Sequence, residues 1–395
     1  MAHKPEKPED ICPRPDVVPP QLTQPASPPI YTAAVYRCES PDQAARLLAG
    51  EQPGYVYSRD GHPNADMLAE KCRRLHGADR AAVCASGMSA LALAVLARLR
   101  EHDHLVVSSQ LYGRSLELLT SEVGRLGIAS TMVDTCDLDA TRAALRPETR
   151  LVVVETITNP LLRVSDLAAL AELCHAREAK LLVDNTLASP AVCRPLELGA
   201  DLVLESLTKI MSGHSDVLLG LLCGREECWD RIPLVLSAWG LTSSPFDCWV
   251  AARGLGTMAL RVAKASANAL VVANFLAGRA EVEWVSYPGL RQHPDHELAR
   301  RQFGDTFGSM VTFTLSGGRG AAEAFIAAAE RIGFFPSLGD LSTTLSHPAS
   351  TSHRSLSALD RQRQGIGEGT LRLSVGIESS EAIVSAIEEG LAALA

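Results

Sequence analysis

From about residue 65 the chain alternates short apolar runs of strand length with stretches whose apolar residues recur at helical spacing. The strand-like runs are 80–84 (RAAVC), 104–108 (HLVVS), 150–154 (RLVVV), 180–183 (KLLV), 201–204 (DLVL) and 217–222 (VLLGLL). Helical spacing covers 65–76, 88–100, 115–126 and 165–177. Consecutive Val and Leu in such short strands mean burial on both faces, so the pattern predicts a mostly parallel sheet covered by helices on each side. After about 245 the rhythm changes. A long helical stretch, 248–278, precedes strand-like 280–288 and 308–315, a helix at 319–331, strand-like 370–377 and a last helix at 379–394. This predicts a smaller α/β unit with a largely antiparallel sheet. Residues 1–29 hold nine of the 22 prolines and no periodic pattern, which predicts an extended arm. The expected division is an arm over 1–58, a large domain over 59–245 and a C-terminal domain over 246–395.

Composition narrows the class. The 395 residues are 46% apolar and 21% charged, as in an ordinary globular protein, and suffice for two or three folding units. A net charge of −9 argues against a protein that works by neutralising phosphate backbones. No apolar run reaches the roughly 18 residues a membrane span needs. Lys, Glu, Asp and Pro stand at the N-terminus where a signal peptide would have an apolar core. None of the ten cysteines forms a CxxC pair, so they read as buried reduced thiols rather than bridges or zinc ligands. The expectation is a cytoplasmic metabolic enzyme without a metal, a nucleic-acid partner or a membrane.

In open α/β sheets ligands sit beyond the carboxyl ends of the strands, so the residues following each run matter most. Ser86-Gly87-Met88 follow the first and open a helix. Tyr112-Gly113 follow the second, Glu155 and Asn159-Pro160 the third, Asp184-Asn185-Thr186 the fourth, and Ser206 to Lys209 the fifth. Each has an ordinary structural reading: a helix cap, a packing aromatic, a loop-capping acid, a solvated lysine. Together they place hydroxyls, an aromatic, an acid and an amine at successive strand ends. A helix N-terminus beside Gly receives a phosphate, with Ser206 and Thr208 as further donors. An aspartate pairs with a protonated ring nitrogen, and a desolvated lysine becomes a nucleophile and base near neutral pH. These are the parts that hold pyridoxal phosphate.

The ordered set 55–59 (YVYSR), 86–90 (SGMSA), 112–113 (YG), 155–160 (ETITNP), 184–186 (DNT), 206–216 (SLTKIMSGHSD), 347–353 (HPASTSH) and 370–378 (TLRLSVGIE) resembles the Cys/Met-metabolism family of pyridoxal-phosphate enzymes. This is the transsulfuration group, which includes cystathionine γ-synthase, cystathionine γ- and β-lyases, methionine γ-lyase and O-acetylhomoserine sulfhydrylase. The resemblance runs from about residue 21 to the C-terminus. It implies an α/β fold of the fold type I, aspartate-aminotransferase-like kind.

It also implies roles for residues. Lys209 would hold the cofactor covalently and shuttle protons, Asp184 would keep the pyridine nitrogen protonated, and Tyr112 would stack on the ring and act on the leaving group. Ser86, Gly87, Met88, Thr186, Ser206 and Thr208 would line the cofactor. Tyr57 and Arg59 resemble a pair that reaches into a neighbouring subunit to hold its phosphate, which implies a homo-oligomer sharing active sites, typically a homotetramer. Arg372 resembles the residue gripping the substrate α-carboxylate, with Asn159, Ser337 and Tyr57 as further substrate contacts; a guanidinium fork suits that task. The implied reaction is β- or γ-elimination, or γ-replacement, on a sulfur amino acid or an activated homoserine, with a lean toward a carbon–sulfur lyase.

Three positions depart from the family pattern. Arg114 follows Tyr-Gly where methionine γ-lyases carry Cys, Ser342 stands where cystathionine γ-lyases and synthases have Glu, and 61–64 reads GHPN rather than Gly-Asn-Pro-Thr. The departures bear on the substrate and leave the cofactor machinery intact. Alternatives are aminotransferase chemistry on the same fold and a non-catalytic oligomer that binds pyridoxal phosphate. A dinucleotide enzyme is disfavoured because no GxGxxG follows a strand.

Overall fold

Seven strands form the larger sheet: β1 (Arg80–Cys84), β2 (His104–Ser108), β3 (Ala129–Val133), β4 (Thr149–Glu155), β5 (Lys180–Asp184), β6 (Leu202–Glu205) and β7 (Gly220–Gly224). Their order is β1-β7-β6-β5-β4-β2-β3. All neighbouring pairs are parallel except those of β7, which runs antiparallel to both β1 and β6. In this computed structural model the described residues are 23, 25–354 and 357–394. The chain divides into two units, Met1–Ile30 and Tyr31–Ala395, and the second holds both sheets. Of the expected arm, residues 1–22 and 24 lie outside the described residues, and 25–30 are exposed.

The strands are buried on both faces, as their unbroken apolar runs predict. Side chains alternate along β4: Leu151 and Val153 join the cluster that packs on the helix Gly87–Arg98, while Val152 and Val154 face the helices Pro63–His76 and Leu167–His175. The smaller sheet comprises β8 (Val282–Ser286), β9 (Met310–Leu315), β10 (Gly333–Phe334), β11 (Thr344–Ser346) and β12 (Thr370–Ser374), ordered β10-β11-β12-β9-β8. Only β10 and β11 pair parallel there. Among the described residues no helix is long and apolar enough to cross a membrane.

The elements differ from the sequence pattern in instructive places. The stretch 248–278 is two helices, Pro245–Leu255 and Met258–Ala277. Between them the Gly254 carbonyl accepts from Thr257 N–H (3.2 Å) and from Arg261 Nη2 (3.1 Å), which ends the first helical ladder. The stretch 115–126 starts as a helix over Gly113–Glu117, widens by a π turn and tightens into a 3-10 turn before Gly127, left-handed at φ +73°. Residues 41–48 form a helix inside the segment expected to be an arm. Ser40 caps it by accepting from Gln43 N–H at 3.1 Å, and Pro41 occupies the first position, where no amide hydrogen is needed.

Candidate active site

Beyond the carboxyl ends of β1, β2, β4, β5 and β6 lies one cavity. Ser86, Gly87, Met88, Tyr112, Glu155, Asn159, Asp184, Thr186, Ser206, Thr208, Lys209, Ser337 and Arg372 all line it. The insertion of antiparallel β7 between β1 and β6 puts the helix Gly87–Arg98 beside the loop after β6. Ser86 caps that helix, its Oγ accepting from Ser89 N–H at 3.0 Å, so the first amides of the helix remain open to a ligand. Close approach needs glycine on both sides. A Cβ on Gly87 would stand 3.0 Å from Ser206 Cβ, and one on Gly220 would stand 2.0 Å from the Ser86 carbonyl oxygen. Ser206 N–H donates to Thr186 Oγ1 (2.9 Å), and Thr208 Oγ1 exchanges hydrogen bonds with the Leu219 backbone. The result is an amide-and-hydroxyl cup of the kind a phosphate fills.

Next to the cup stand buried acids. Asp184 ends β5, and its Oδ1 accepts from Thr186 N–H at 3.0 Å. Burial pushes its carboxyl up to about 6. Glu155 lies in register with it on β4, and burial together with Asp184 raises the Glu155 carboxyl well above the usual carboxylate range. Glu205, at the end of β6, is also raised by burial but does not line the cavity; its Oε1 accepts from Asn185 Nδ2 at 2.9 Å. Asp184 and Glu155, on neighbouring strand ends and away from water, resist joint ionisation and favour a cation beside them. No salt bridge to Asp184 occurs among the described residues. A protonated pyridine nitrogen would supply a positive charge beside Asp184, so the acid end and the phosphate cup both fit pyridoxal phosphate.

The opposite wall comes from the smaller sheet. Arg372 on β12 is 4% exposed. Its Nη1 donates to Asn159 Oδ1 at 2.6 Å and its Nη2 to the Ser337 carbonyl at 3.0 Å, while Nε is buried without a partner. A buried guanidinium with an unused N–H edge is prepared for an anionic guest. Burial lowers its pKa to about 10. Lys209 Nζ donates to Ser337 Oγ at 2.9 Å, and burial first, then Arg372, lowers its pKa below the ordinary lysine value. Gly339, at φ +82°, lets this loop rest on the Lys209 turn, where a Cβ would meet Ile210 N at 2.5 Å.

Tyr57 and Arg59 do not line the cavity. The Arg59 guanidinium lies 5.1 Å from the centre of the exposed Tyr57 ring. Arg114 also stays outside, ion-paired to Glu117, and Ser342 is an exposed turn residue bonded to Asp340. His62 in the GHPN segment caps the helix Pro63–His76, its Nδ1 accepting from Ala65 N–H at 3.1 Å. The described cysteines are free, and all but Cys38 and Cys136 are buried. The sequence marks Glu155 as a strand end without giving it a place in the site. The signal available is an acid closing an otherwise apolar strand directly before the Asn159 loop.

Known proteins share this chain's pattern. The family model described as Cys/Met metabolism PLP-dependent enzyme matches residues 16–392. O-succinylhomoserine sulfhydrylase of Pseudomonas aeruginosa is 41% identical over 365 residues, 92% of this chain and 90% of that protein. L-methionine gamma-lyase of Porphyromonas gingivalis is 37% identical over 369 residues, 93% of this chain and 92% of that protein. The crystal structure of cystathionine gamma synthase from Xanthomonas oryzae pv. oryzae in complex with cystathionine superposes with a TM-score of 0.88 at 37% identity, covering 93% of each chain. With its motifs, its sheet order and a cavity suited to the cofactor, the chain belongs to the Cys/Met metabolism family of pyridoxal-phosphate-dependent enzymes.

Proposed function

We propose that this chain expels a substituent from the γ-carbon of an O-acylhomoserine and replaces it with a thiol. The observation that carries the amino-acid chemistry in this reading is the shared anchoring of Lys209 and Arg372 on Ser337. An amino acid whose carboxylate takes the free N–H edge of Arg372 has its α-carbon delivered beside the Lys209 amine. Bound pyridoxal phosphate supplies an electron sink for charge developing at that carbon. Lys209, its pKa lowered by its buried position and by Arg372, takes a proton from the α-carbon and then one from the β-carbon. The second removal frees the electron pair that expels the γ-substituent, and protons return to both carbons once the thiol has added. Tyr112, at the mouth of the cavity, hands a proton to the departing group. Asp184 would hold the ring nitrogen protonated, and Gly87, Met88, Ser206 and Thr208 would orient the phosphate.

The choice of an ester rests on the 41% identity to O-succinylhomoserine sulfhydrylase and on Arg114 standing where methionine γ-lyases carry Cys. A carbon–sulfur lyase is the second reading, favoured by the 37% identity to L-methionine gamma-lyase. The test is to supply O-succinylhomoserine with and without hydrogen sulfide, and cystathionine and methionine without it. Homocysteine outpacing 2-oxobutanoate supports replacement. 2-Oxobutanoate from the thioethers alone supports the lyase. A bound cofactor with neither product returns the question to transamination or to a non-catalytic oligomer.

The proposal includes a homo-oligomer, a homotetramer by family analogy, in which Tyr57 and Arg59 complete a neighbour's phosphate site. Their exposed stack outside the chain's own cavity supports this reading. Arg59→Ala that keeps the assembly, measured by light scattering, yet loses cofactor affinity is the expected result. Unchanged affinity would overturn it.

A further inference from the structure

Glu155 is 3% exposed and closes β4. Its two carboxyl oxygens serve two different walls of the cavity: Oε1 accepts from Tyr112 N–H and Oε2 from Asn159 N–H, each at 2.9 Å. The Glu155 carbonyl is itself fixed by Ser165 Oγ at 2.7 Å. Asn159 in turn presents Oδ1 to Arg372 Nη1 at 2.6 Å. One carboxyl group therefore stands between the aromatic that follows β2 and the amide that orients the guanidinium on β12.

We propose that Glu155 is a positioning residue whose carboxyl fixes the distance between Tyr112 and the Asn159–Arg372 fork, and through it the fit of the substrate carboxylate. The inference rests on the proposed reading in which Arg372 receives that carboxylate. The chemistry favours a carboxyl over any other side chain. Two converging amide donors need two acceptors on one rigid plane, and only Asp or Glu offers that. Aspartate is shorter by one methylene and would draw one amide out of place. Asn159 is thus held at its backbone N–H by Glu155 and at its Oδ1 by Arg372, as a residue that aims a guanidinium must be.

The holoenzyme with L-alanine as probe tests this, since L-alanine carries the α-carboxylate and amine and has no group to expel. Binding is followed by the shift of the cofactor's visible band. In Glu155→Gln an NH2 faces one of the two amides, so the L-alanine Kd is expected to rise about tenfold, the loss of one of the two hydrogen bonds and the turning of a donor against a donor. Combined with Arg372→Lys, the effects should fall short of multiplying, because both act through one fork. A folded Glu155→Gln with unchanged Kd, or full multiplication, overturns the proposal; a role confined to stability would lower the melting temperature and do neither. Should Glu155→Gln fail to fold, amide exchange of the unaltered holoenzyme decides: Tyr112 and Asn159 amides must both be protected, and fast exchange at either overturns it. An unaltered holoenzyme that neither binds L-alanine nor turns over any substrate sinks the Arg372 reading and this inference with it. Normal binding by both enzyme forms sinks Glu155 alone.

Discussion

The Lys209 amine and the Ser337 hydroxyl lie 2.9 Å apart, joined across 128 residues of sequence. Ser337 also offers its carbonyl to Arg372, so one serine between β10 and β11 spaces the amine from the guanidinium. The two cations share a wall, and Arg372 adds to burial in lowering the pKa of the amine.

Replacing that amine is the most direct test of the site. Lys209→Ala should fold, lose the covalently held chromophore and drop turnover by about 10²–10⁴ or more, the range a positioned acid–base group contributes. Absorbance of the denatured, dialysed protein reports the covalent link. Retained turnover would rule out the assignment.

Arg372→Lys keeps the positive charge and loses the planar fork. Its kcat/KM should fall roughly 10- to 100-fold, matching the ~1.5–3 kcal/mol of a hydrogen bond to a charged group. The loss should appear chiefly in KM, since the fork acts on the bound carboxylate throughout. Steady-state kinetics on whichever substrate proves active checks the split.

Gly220→Ala tests the phosphate cup from behind. The added methyl would stand 2.0 Å from the Ser86 carbonyl, a backbone atom with no room to yield. Displacing the helix start should cost about 1–3 kcal/mol of stability, as overpacking does. Pyridoxal phosphate affinity should fall with it. A variant as stable and as tight as the parent would show the cup to be compliant.

Most of this site is legible in the sequence because strand-forming runs are short, apolar and end abruptly in polar residues. The RLVVV run locates Glu155 and Asn159, and KLLV locates Asp184. What escapes depends on distance in the chain. An acid closing a strand looks like a solvated terminus until its burial is known, so the part Glu155 plays is hidden. Strand β3 (ASTMV) is an edge strand, only partly buried, and has no unbroken apolar run to announce it. The break at Gly256 owes something to Arg261, which reaches back to the Ile210 and Met211 carbonyls at 2.8 and 2.9 Å. No local pattern encodes that reach.

Acid should destabilise the fold through its buried histidines. Burial, reinforced by Arg372, lowers His353 from 6.5 to about 4. It is therefore neutral in the fold while the unfolded chain takes up a proton below 6.5. Its stabilising contribution is complete above that pH and is lost as pH falls toward 4, roughly 3 kcal/mol in all and about 2 kcal/mol by pH 5. His353→Gln should flatten this limb when urea midpoints at pH 7 and pH 5 are compared. An unchanged slope would show that His353 is charged in the fold or that other groups dominate.

Strand β7 has a bearing on how the chain comes off the ribosome. Strands β2 to β6 each find a parallel neighbour from nearby sequence as they emerge. Strand β1, made first, pairs only with β7 and so waits until residue 224 has been synthesised. The helix that starts at Gly87 is translated early but seated late. A nascent chain halted before Gly220 would expose the edges of β1 and β6 together, the stage at which a chaperone would be needed most.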